Sequence, residues 1–195
     1  MARWHALLEA IPGSSGLAAS RQVHGTSLAW HDAVQGVVIL EGTDGHATST
    51  PGTVLAVTAA DCVPVYILDP VARRAALLHA GWRGTAARIL SLGVSLLKAR
   101  GSDSSTLLMH CGIGICGGCY EVSSEVFASC GLPTPAGGKG QLDLRSVLAD
   151  QARQEGIREI STSSWCSAHH SEHFFSHRRS GGADGRMVAY LSLCA

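Results

Sequence analysis

Two apolar runs separated by a turn constrain the fold of this chain more than any other feature. Val63–Leu68 and Ala75–Leu78 have the composition of buried strands, and the Asp-Pro dipeptide between them is typical of a turn. If the two strands pair as an antiparallel hairpin, the start of the first lies beside the end of the second, because paired strands are only about 4.8 Å apart. We therefore expect Cys62 and His79, seventeen positions apart in the sequence, to lie close together.

A thiol beside an imidazole admits three interpretations. The two residues can be metal ligands, a nucleophile with its base, or a buried thiol next to a hydrogen-bonded core histidine. The spacing of Cys62 and His79 alone leaves all three open. We also predict a strand over Arg21–Trp30 around a turn at Gly25, with His24 at the turn. If His24 joins the pair, the three side chains form a set that suits zinc with its fourth position open.

Composition narrows the class of protein. The 195 residues suit one domain with a sizeable core, and 15 basic residues balance 15 acidic ones. This balance gives no electrostatic case for a nucleic-acid or membrane-surface partner. The sequence has no apolar run of the roughly 20 residues needed to span a bilayer, and no recognisable secretory signal. We therefore expect a cytoplasmic protein whose seven cysteines are reduced.

Strand and helix patterns are interleaved along the chain. We predict strands at Val37–Leu40, Thr53–Ala60, Thr106–Met109 and Met187–Leu193, and helices at Arg3–Ile11, Thr85–Arg100 and Leu144–Glu155, the last capped by Asp143. Residues 1–20 are otherwise weakly patterned, and Glu41–Gly52 is interpreted as a polar loop. Because strands occur both as a hairpin and in alternation with helices, the pattern favours a single α+β domain with a mixed sheet over residues 1–195.

The loop Cys111–Cys119 is rich in cysteine and glycine. It contains C-x4-C-x2-C, which resembles the first three ligands of a plant-type iron–sulfur site. The fourth ligand would come from one of three later cysteines: Cys130, Cys166 or Cys194. The loop also contains a G-x-G-x-x-G pattern, but the long helix of a dinucleotide site does not follow it. A tight turn that frames a pocket with its backbone N–H groups is the simpler interpretation.

Arginines near these features are candidate anion ligands, because a guanidinium group matches the geometry of phosphate or carboxylate. Arg83 follows His79 closely, and Arg178 lies in a basic loop near the C-terminus. Three further histidines, at positions 169, 170 and 173, are interpreted as surface residues. We assign substrate binding to Arg83, Gly114, Tyr120 and Arg178, and catalysis to Cys62, His79 and Arg83.

Five segments together resemble the laccase-domain proteins, also called the multicopper polyphenol oxidase or purine nucleoside phosphorylase family. The segments are RQVHGT, ADCVPVYILDP, HAGWRGT, GICGGCYEV and HRRSGGADGRM. The match runs from about Arg21 to the C-terminus. The resemblance implies an αββα sandwich with one metal site, in which His24, Cys62 and His79 hold zinc, with copper as the alternative metal.

The same resemblance implies an activity. Members are associated with phosphorolysis of adenosine, inosine and methylthioadenosine, and with deamination of adenosine. The expected partners are therefore a purine nucleoside and phosphate, without nucleic acid or membrane, and a homodimer is the assembly we consider. Copper-dependent polyphenol oxidation is less favoured, because multicopper chemistry needs several copper centres and many more histidine ligands than this sequence offers.

Two further alternatives stay open. The first is a metal-free hydrolase in which Cys62 is the nucleophile and His79 its base. The second is a shortened, non-catalytic member of the family with a cell-wall quality-control or partner-binding role. It is motivated by the stretch before Arg21, where we find no counterpart of the glycine-rich S-T-R-x-G-G segment that members normally carry.

Overall fold

Two β-sheets lie face to face, and helices cover their outer surfaces. The computed structural model describes residues 1–194. The helices are α1 (Ala2–Ala10), α2 (Trp82–Ala86), α3 (Ile89–Ala99), α4 (Ser124–Ser129), α5 (Leu144–Gln154) and α6 (His177–Ser180). The strands are β1 (Gly16–Arg21), β2 (Leu28–His31), β3 (Gly36–Glu41), β4 (Gly45–Thr48), β5 (Thr53–Ala59), β6 (Val63–Asp69), β7 (Arg74–Ala80), β8 (Leu108–Cys111), β9 (Glu121–Ser123), β10 (Lys139–Gln141), β11 (Glu159–Thr162) and β12 (Met187–Ser192).

Both large sheets mix parallel and antiparallel pairs. Within residues 1–194, one sheet has the strand order β11-β8-β6-β7-β4-β2 and the other the order β12-β5-β1-β3. In the second sheet β1 is parallel to both β3 and β5, whereas β12 is antiparallel to β5. The predicted α+β domain with a mixed sheet is confirmed. Among residues 1–194, no helix combines the length and apolar character needed to cross a membrane.

Apolar side chains fill three layers. Leu55 and Val57 of β5 pack against Leu77 of β7 between the two sheets. Helices α3 and α5 cover the other face of the larger sheet with fully buried side chains such as Leu90 and Leu148. Helix α1 covers the smaller sheet. Burial of this apolar surface is the main stabilising term, and it gives the αββα order that the resemblance implied.

The hairpin that the sequence predicted is present. Strands β6 and β7 are antiparallel, with Val63 opposite Ala80 and Pro64 opposite His79. Cys62 directly precedes β6 and therefore lies near the end of β7. The pairing register, rather than closeness in sequence, brings the thiol and the imidazole to one edge of the sheet.

The interpretation of Glu41–Gly52 as a polar loop was wrong over Gly45–Thr48. That segment is β4, a buried strand between β7 and β2. Its polar groups are satisfied in place: the Thr48 hydroxyl donates to the His31 carbonyl at 2.7 Å. Strand β1 was also missed, because it lies in the weakly patterned first twenty residues. Its place between β5 and β3 follows from long-range pairing that a local pattern does not record.

The predicted helix Thr85–Arg100 was wrong at its start. Two helices, α2 and α3, occupy this region, and Arg88 separates them with a left-handed φ of 61°. Thr85, the predicted first residue of the helix, lies inside α2, and its carbonyl accepts a hydrogen bond from the Gln151 amide at 2.9 Å. The break allows α2 to begin directly after β7, beside the predicted metal ligands.

Candidate functional site

The structure brings the three predicted metal ligands together. One ligand atom from each of His24, Cys62 and His79 lies within 4.8 Å of the other two. His24 comes from the loop between β1 and β2, Cys62 from the turn between β5 and β6, and His79 from β7. Three segments distant in sequence therefore converge at one edge of the larger sheet.

The Asp44 carboxylate holds both histidines. It is fully buried, and one of its oxygens accepts a hydrogen bond from Nδ1 of His79 at 2.9 Å. It also accepts the backbone N–H groups of Val23, His24 and Gly25 at 3.2, 2.9 and 2.8 Å. These bonds stabilise the left-handed backbone of His24, whose φ is 60°. Because the carboxylate only accepts, the proton of neutral His79 lies on Nδ1, and Nε2 is left as the ligand atom.

Sequence reasoning missed Asp44. Its neighbours Thr43 and Gly45 are turn formers, and this composition placed it in the predicted polar loop. The residue is identified only by contacts across 20 and 35 positions, to His24 and His79. We find no local signal that marks it.

The charges of this cluster follow from its contacts. Burial alone raises the pKa of the Cys62 thiol, but hydrogen bonds and charge from His24 and His79 outweigh it, and the pKa falls to about 7. Burial lowers the pKa of His79, but hydrogen bonds to Asp44 and Cys62 raise it to about 9. In the metal-free protein at pH 8, the favoured form is therefore a thiolate beside an imidazolium. A thiolate is the form of cysteine that binds a metal.

The residues present fit a metal ion. Two imidazole nitrogens and a thiolate form a borderline-soft donor set of the kind that leaves a fourth position open. Gly81 keeps the space beside them clear, because a Cβ there would lie 2.9 Å from Sγ of Cys62 and 3.2 Å from Cδ2 of His24. The close approach of the Cys62 and His24 side chains therefore requires glycine at position 81.

The ligands lie in the wall of a cavity of about 600 Å³, which is within the range of small-molecule sites. Its remaining wall is partly cationic and partly apolar. The cationic part consists of Arg21, Arg83, Arg178 and Arg186, with the His177 ring beside them, and the apolar part includes Trp82, Ile115, Tyr120 and Leu144. Arg83, Tyr120 and Arg178 were predicted from the sequence as substrate contacts, whereas Arg21, His177 and Arg186 were not.

Arg178 is the most firmly positioned of the cavity cations. Its guanidinium lies 4.9 Å from the centre of the Tyr120 ring and donates to the Glu121 carbonyl at 2.7 Å. Its backbone N–H donates to the Asp61 carboxylate at 2.6 Å. Burial, reinforced by the nearby Cys62, raises the pKa of Tyr120 to about 12, so its phenol keeps its proton at neutral pH. Arg83 stacks on Trp82 at 4.3 Å.

Gly114 lies behind the cavity wall. A Cβ there would lie 2.9 Å from the carbonyl oxygen of Asp61, and the same oxygen accepts the Ile115 N–H at 2.9 Å. Asp61 has a left-handed φ of 83° and immediately precedes the ligand Cys62. Gly114 therefore allows a close backbone approach that positions Cys62, and a direct substrate contact by Gly114 stays a prediction.

Comparisons with known proteins agree with the fold and show the family. The model of the family described as multi-copper polyphenol oxidoreductase laccase matches residues 2–194. The chain belongs to this family. A family member named purine nucleoside phosphorylase, from Streptomyces coelicolor, is 34% identical over 178 residues, which cover 88% of this chain and 73% of the relative.

Two further matches extend the comparison. A protein named adenosine deaminase RL5, from an unknown prokaryotic organism, is 35% identical over 159 residues, covering 75% of this chain and 61% of the relative. The crystal structure of YlmD from Geobacillus stearothermophilus has a TM-score of 0.87 and 31% identity, covering 98% of this chain and 79% of that chain. The predicted laccase-domain membership is confirmed, and the names of the relatives support an enzyme of the purine nucleoside phosphorylase kind.

Proposed function

We propose that this chain is a zinc-dependent purine nucleoside phosphorylase that acts on adenosine, inosine and methylthioadenosine and also deaminates adenosine. The observation that carries the proposal is the convergence of His24, Cys62 and His79 in the wall of a cavity lined by arginines. The names of the relatives supply the substrate class. The residues of this chain provide candidate metal ligands, candidate anion ligands and an apolar surface around the same cavity.

His24, Cys62 and His79 are the residues that would hold the metal. When bound, zinc supplies a Lewis acid and lowers the pKa of coordinated water, which is the chemistry that deamination requires. The hydrogen bond from Nδ1 of His79 to Asp44 orients the ring, so that Nε2 would be the nitrogen that binds the metal once it has lost its proton. The Asp61 carboxylate accepts hydrogen bonds from the Ser167 hydroxyl and the Arg178 N–H, and this residue directly precedes Cys62 at the cavity wall.

Phosphorolysis forms a bond between a phosphate oxygen and C1′ of the ribose, and breaks the bond from C1′ to the purine nitrogen. The guanidinium groups of Arg83 and Arg178 are the candidate phosphate ligands, since each is held on an aromatic ring with its charge unpaired by a carboxylate in residues 1–194. Their charge favours phosphate near the metal site and stabilises its negative charge during the reaction.

The purine requires a flat apolar surface with a few polar groups. The rings of Trp82 and Tyr120 and the side chains of Ile115 and Leu144 provide such a surface within the cavity. The protonated phenol of Tyr120 is also a hydrogen-bond donor for a purine or ribose acceptor. These contacts bind and orient the nucleoside but do not distinguish adenosine from inosine.

The two reactions can be separated in one assay. Zinc-loaded protein is incubated with adenosine, with and without inorganic phosphate, and the products are quantified by liquid chromatography and mass spectrometry. We expect adenine and ribose 1-phosphate only with phosphate, and inosine in both cases. Cys62→Ala should lose both activities, and Cys194→Ser is the matched control, since Cys194 is exposed and outside the cluster. No product from the zinc-loaded protein contradicts the proposal.

One observation favours a second candidate, the metal-free hydrolase. Asp44, His79 and Cys62 form a hydrogen-bonded series with a low thiol pKa of about 7, as in a nucleophile–base–carboxylate arrangement. In this candidate His24 only helps to lower the pKa of the thiol and is not a ligand, although its ligand atom lies within 4.8 Å of the thiol. His24→Ala should abolish a metal-dependent activity at every pH, whereas a Cys–His hydrolase should regain activity at a pH high enough to ionise the thiol. Dialysis against a chelator gives the same distinction without a substitution.

A further inference from the structure

A second group of ligand-type side chains lies away from the cavity centre. It consists of Cys116, Cys119, Cys166 and His169, and one ligand atom from each lies within 4.8 Å of the other three. The sequence places them in two short motifs, C-x2-C and C-x2-H, which are separated by 46 residues. Such pairs of close ligands on two loops are typical of structural zinc sites.

We propose that these four residues form a second metal site, which binds a divalent ion such as zinc through three thiolates and one imidazole and has no catalytic role. The inference is independent of the proposed enzyme activity. Four protein ligands fill a tetrahedral shell and leave no position for substrate, which is the pattern of structural zinc. The site at His24, Cys62 and His79 has three ligands and an adjoining cavity, and the two groups therefore differ in kind.

The distance between two of the four ligand atoms agrees with tetrahedral coordination. Nδ1 of His169 lies 3.5 Å from Sγ of Cys116. With Zn–S near 2.3 Å and Zn–N near 2.0–2.1 Å, two ligands of a tetrahedral ion are expected about 3.5 Å apart. The sulfur of Cys166 also accepts the backbone N–H of Cys116 at 3.3 Å, a contact of the kind that orients and stabilises a metal-bound thiolate.

The sequence-based interpretation of these cysteines was incomplete. Cys111, the first cysteine of the C-x4-C-x2-C pattern, is buried, and its sulfur contacts the Arg145 carbonyl at 4.0 Å instead of joining the cluster. His169 was interpreted as a surface histidine, and its side chain is exposed, but it completes the set with Cys166. A cluster of three thiols and one imidazole fits zinc better than an iron–sulfur cluster with four cysteine ligands.

A metal ion at the second site would link two loops that support the cavity. One loop carries Cys116 and Cys119 and is flanked by Ile115 and Tyr120, which line the cavity. The other carries Ser167, whose hydroxyl donates to the Asp61 carboxylate at 2.6 Å. Asp61 immediately precedes Cys62. A metal at the second site would therefore stabilise the backbone on which the first site depends.

Metal counting tests this inference directly. The full-length protein is purified without chelators and under anaerobic conditions, and its metal content is measured by plasma mass spectrometry. We expect two zinc ions for each wild-type chain, one for Cys119→Ser and one for Cys62→Ala. Cys194→Ser is the control and should keep two. Loss of the second ion should lower the melting temperature by several degrees, because it links separate loops.

A cobalt experiment tests the site even if Cys119→Ser fails to fold. In cobalt-loaded Cys62→Ala the first site contains no thiolate, so a sulfur-to-cobalt charge-transfer band arises from the second site alone. We expect a strong band with the visible absorption of tetrahedral cobalt. The inference is overturned if that band is absent, if Cys119→Ser keeps two zinc ions, if the wild-type protein contains an iron–sulfur cluster, or if Cys116 and Cys119 form a disulfide under anaerobic conditions.

Discussion

Replacing Asp44 with asparagine should weaken metal binding and stability together. The Asp44 carboxylate accepts four hydrogen bonds: two at Oδ1, from the His24 N–H and Nδ1 of His79, and two at Oδ2, from the N–H groups of Val23 and Gly25. Asparagine has one carbonyl oxygen and one NH2 group. In either orientation its NH2 group faces a pair of former donors, and two of the four hydrogen bonds are lost.

The size of the effect follows from these contacts. A hydrogen bond to a charged group contributes about 1.5–3 kcal/mol, so losing two should reduce the free energy of unfolding by about 3–6 kcal/mol. At about 2–4 °C per kcal/mol for a chain of this size, the melting temperature should fall by about 6–24 °C. Loss of a partner of this kind lowers metal affinity by about 10–100-fold, which corresponds to about 1.4–2.8 kcal/mol.

The assay combines thermal unfolding with zinc competition against a chromophoric chelator. Asp150→Asn is the matched control, because the Asp150 side chain is 67% exposed and far less than 1 kcal/mol of change is expected. The reasoning is refuted if Asp44→Asn binds zinc as tightly as the Asp150→Asn control and melts at the same temperature. Loss of stability without loss of zinc affinity would refute the positioning role alone.

Three further predictions concern the same site. Gly81→Ala should weaken zinc binding by about tenfold or more, because its Cβ would meet Sγ of Cys62 at 2.9 Å; Gly137→Ala, where a Cβ meets open space, is the control in the same competition assay. The pKa of Cys62 is lowered from 9.0 to about 7, so the stability that this residue contributes is present above pH 9 and is lost as the pH falls towards 7. The pKa of His79 is raised from 6.5 to about 9, so the stability that this residue contributes is present below pH 6.5 and is lost as the pH rises through 9. Between pH 7 and 9 the two contributions to stability change in opposite directions, so the melting temperature of metal-free protein should change little there. Over the same range the zinc affinity of this site should rise about tenfold per pH unit, because zinc binding displaces one proton. Calorimetry in buffers of different ionisation enthalpy counts that proton, and a pH-independent affinity would contradict the charge assignment. Arg178→Lys keeps the charge but loses the planar fork, and should raise the KM for phosphate by about tenfold with less effect on the KM for nucleoside; equal changes in both would argue against a phosphate contact.

The sequence predicted the parts of this molecule that depend on short-range patterns. The apolar runs on either side of an Asp-Pro turn indicated the β6–β7 hairpin, and the hairpin explains why Cys62 and His79 meet. Asp143 was predicted to cap α5, and its side chain does accept the Arg145 N–H at 3.0 Å. In both cases the residues that determine the structure lie within a few positions or within one hairpin.

The parts that were missed depend on contacts between distant segments. Strand β4 has a loop-like composition, yet its polar groups find partners such as the His31 carbonyl, and it is buried between two other strands. Asp44 acts across 35 positions on His79. His169 and Cys116 are separated by 53 positions. Local sequence shows the chemical type of each side chain but not which segment it will face.

His24 was included in the proposed metal site because of the family resemblance, and the structure explains how it comes to lie there. Spacing alone gave it no partner, and the family resemblance supplied the assignment. The structure adds the physical reason: the buried carboxylate of Asp44 binds the backbone N–H groups of Val23, His24 and Gly25 and so turns this loop towards β7. The residue that joins His24 to the site is thus one that no sequence motif indicated.

The central claim is that a metal at His24, Cys62 and His79 supports phosphorolysis in the adjoining cavity. The most direct test is to titrate zinc into metal-free protein and measure hypoxanthine and ribose 1-phosphate formed from inosine and phosphate. We predict that activity rises with zinc until the sites are filled, and that Cys62→Ala forms neither product at any zinc concentration. Equal activity in metal-free and zinc-loaded protein, or full activity in Cys62→Ala, would contradict the claim.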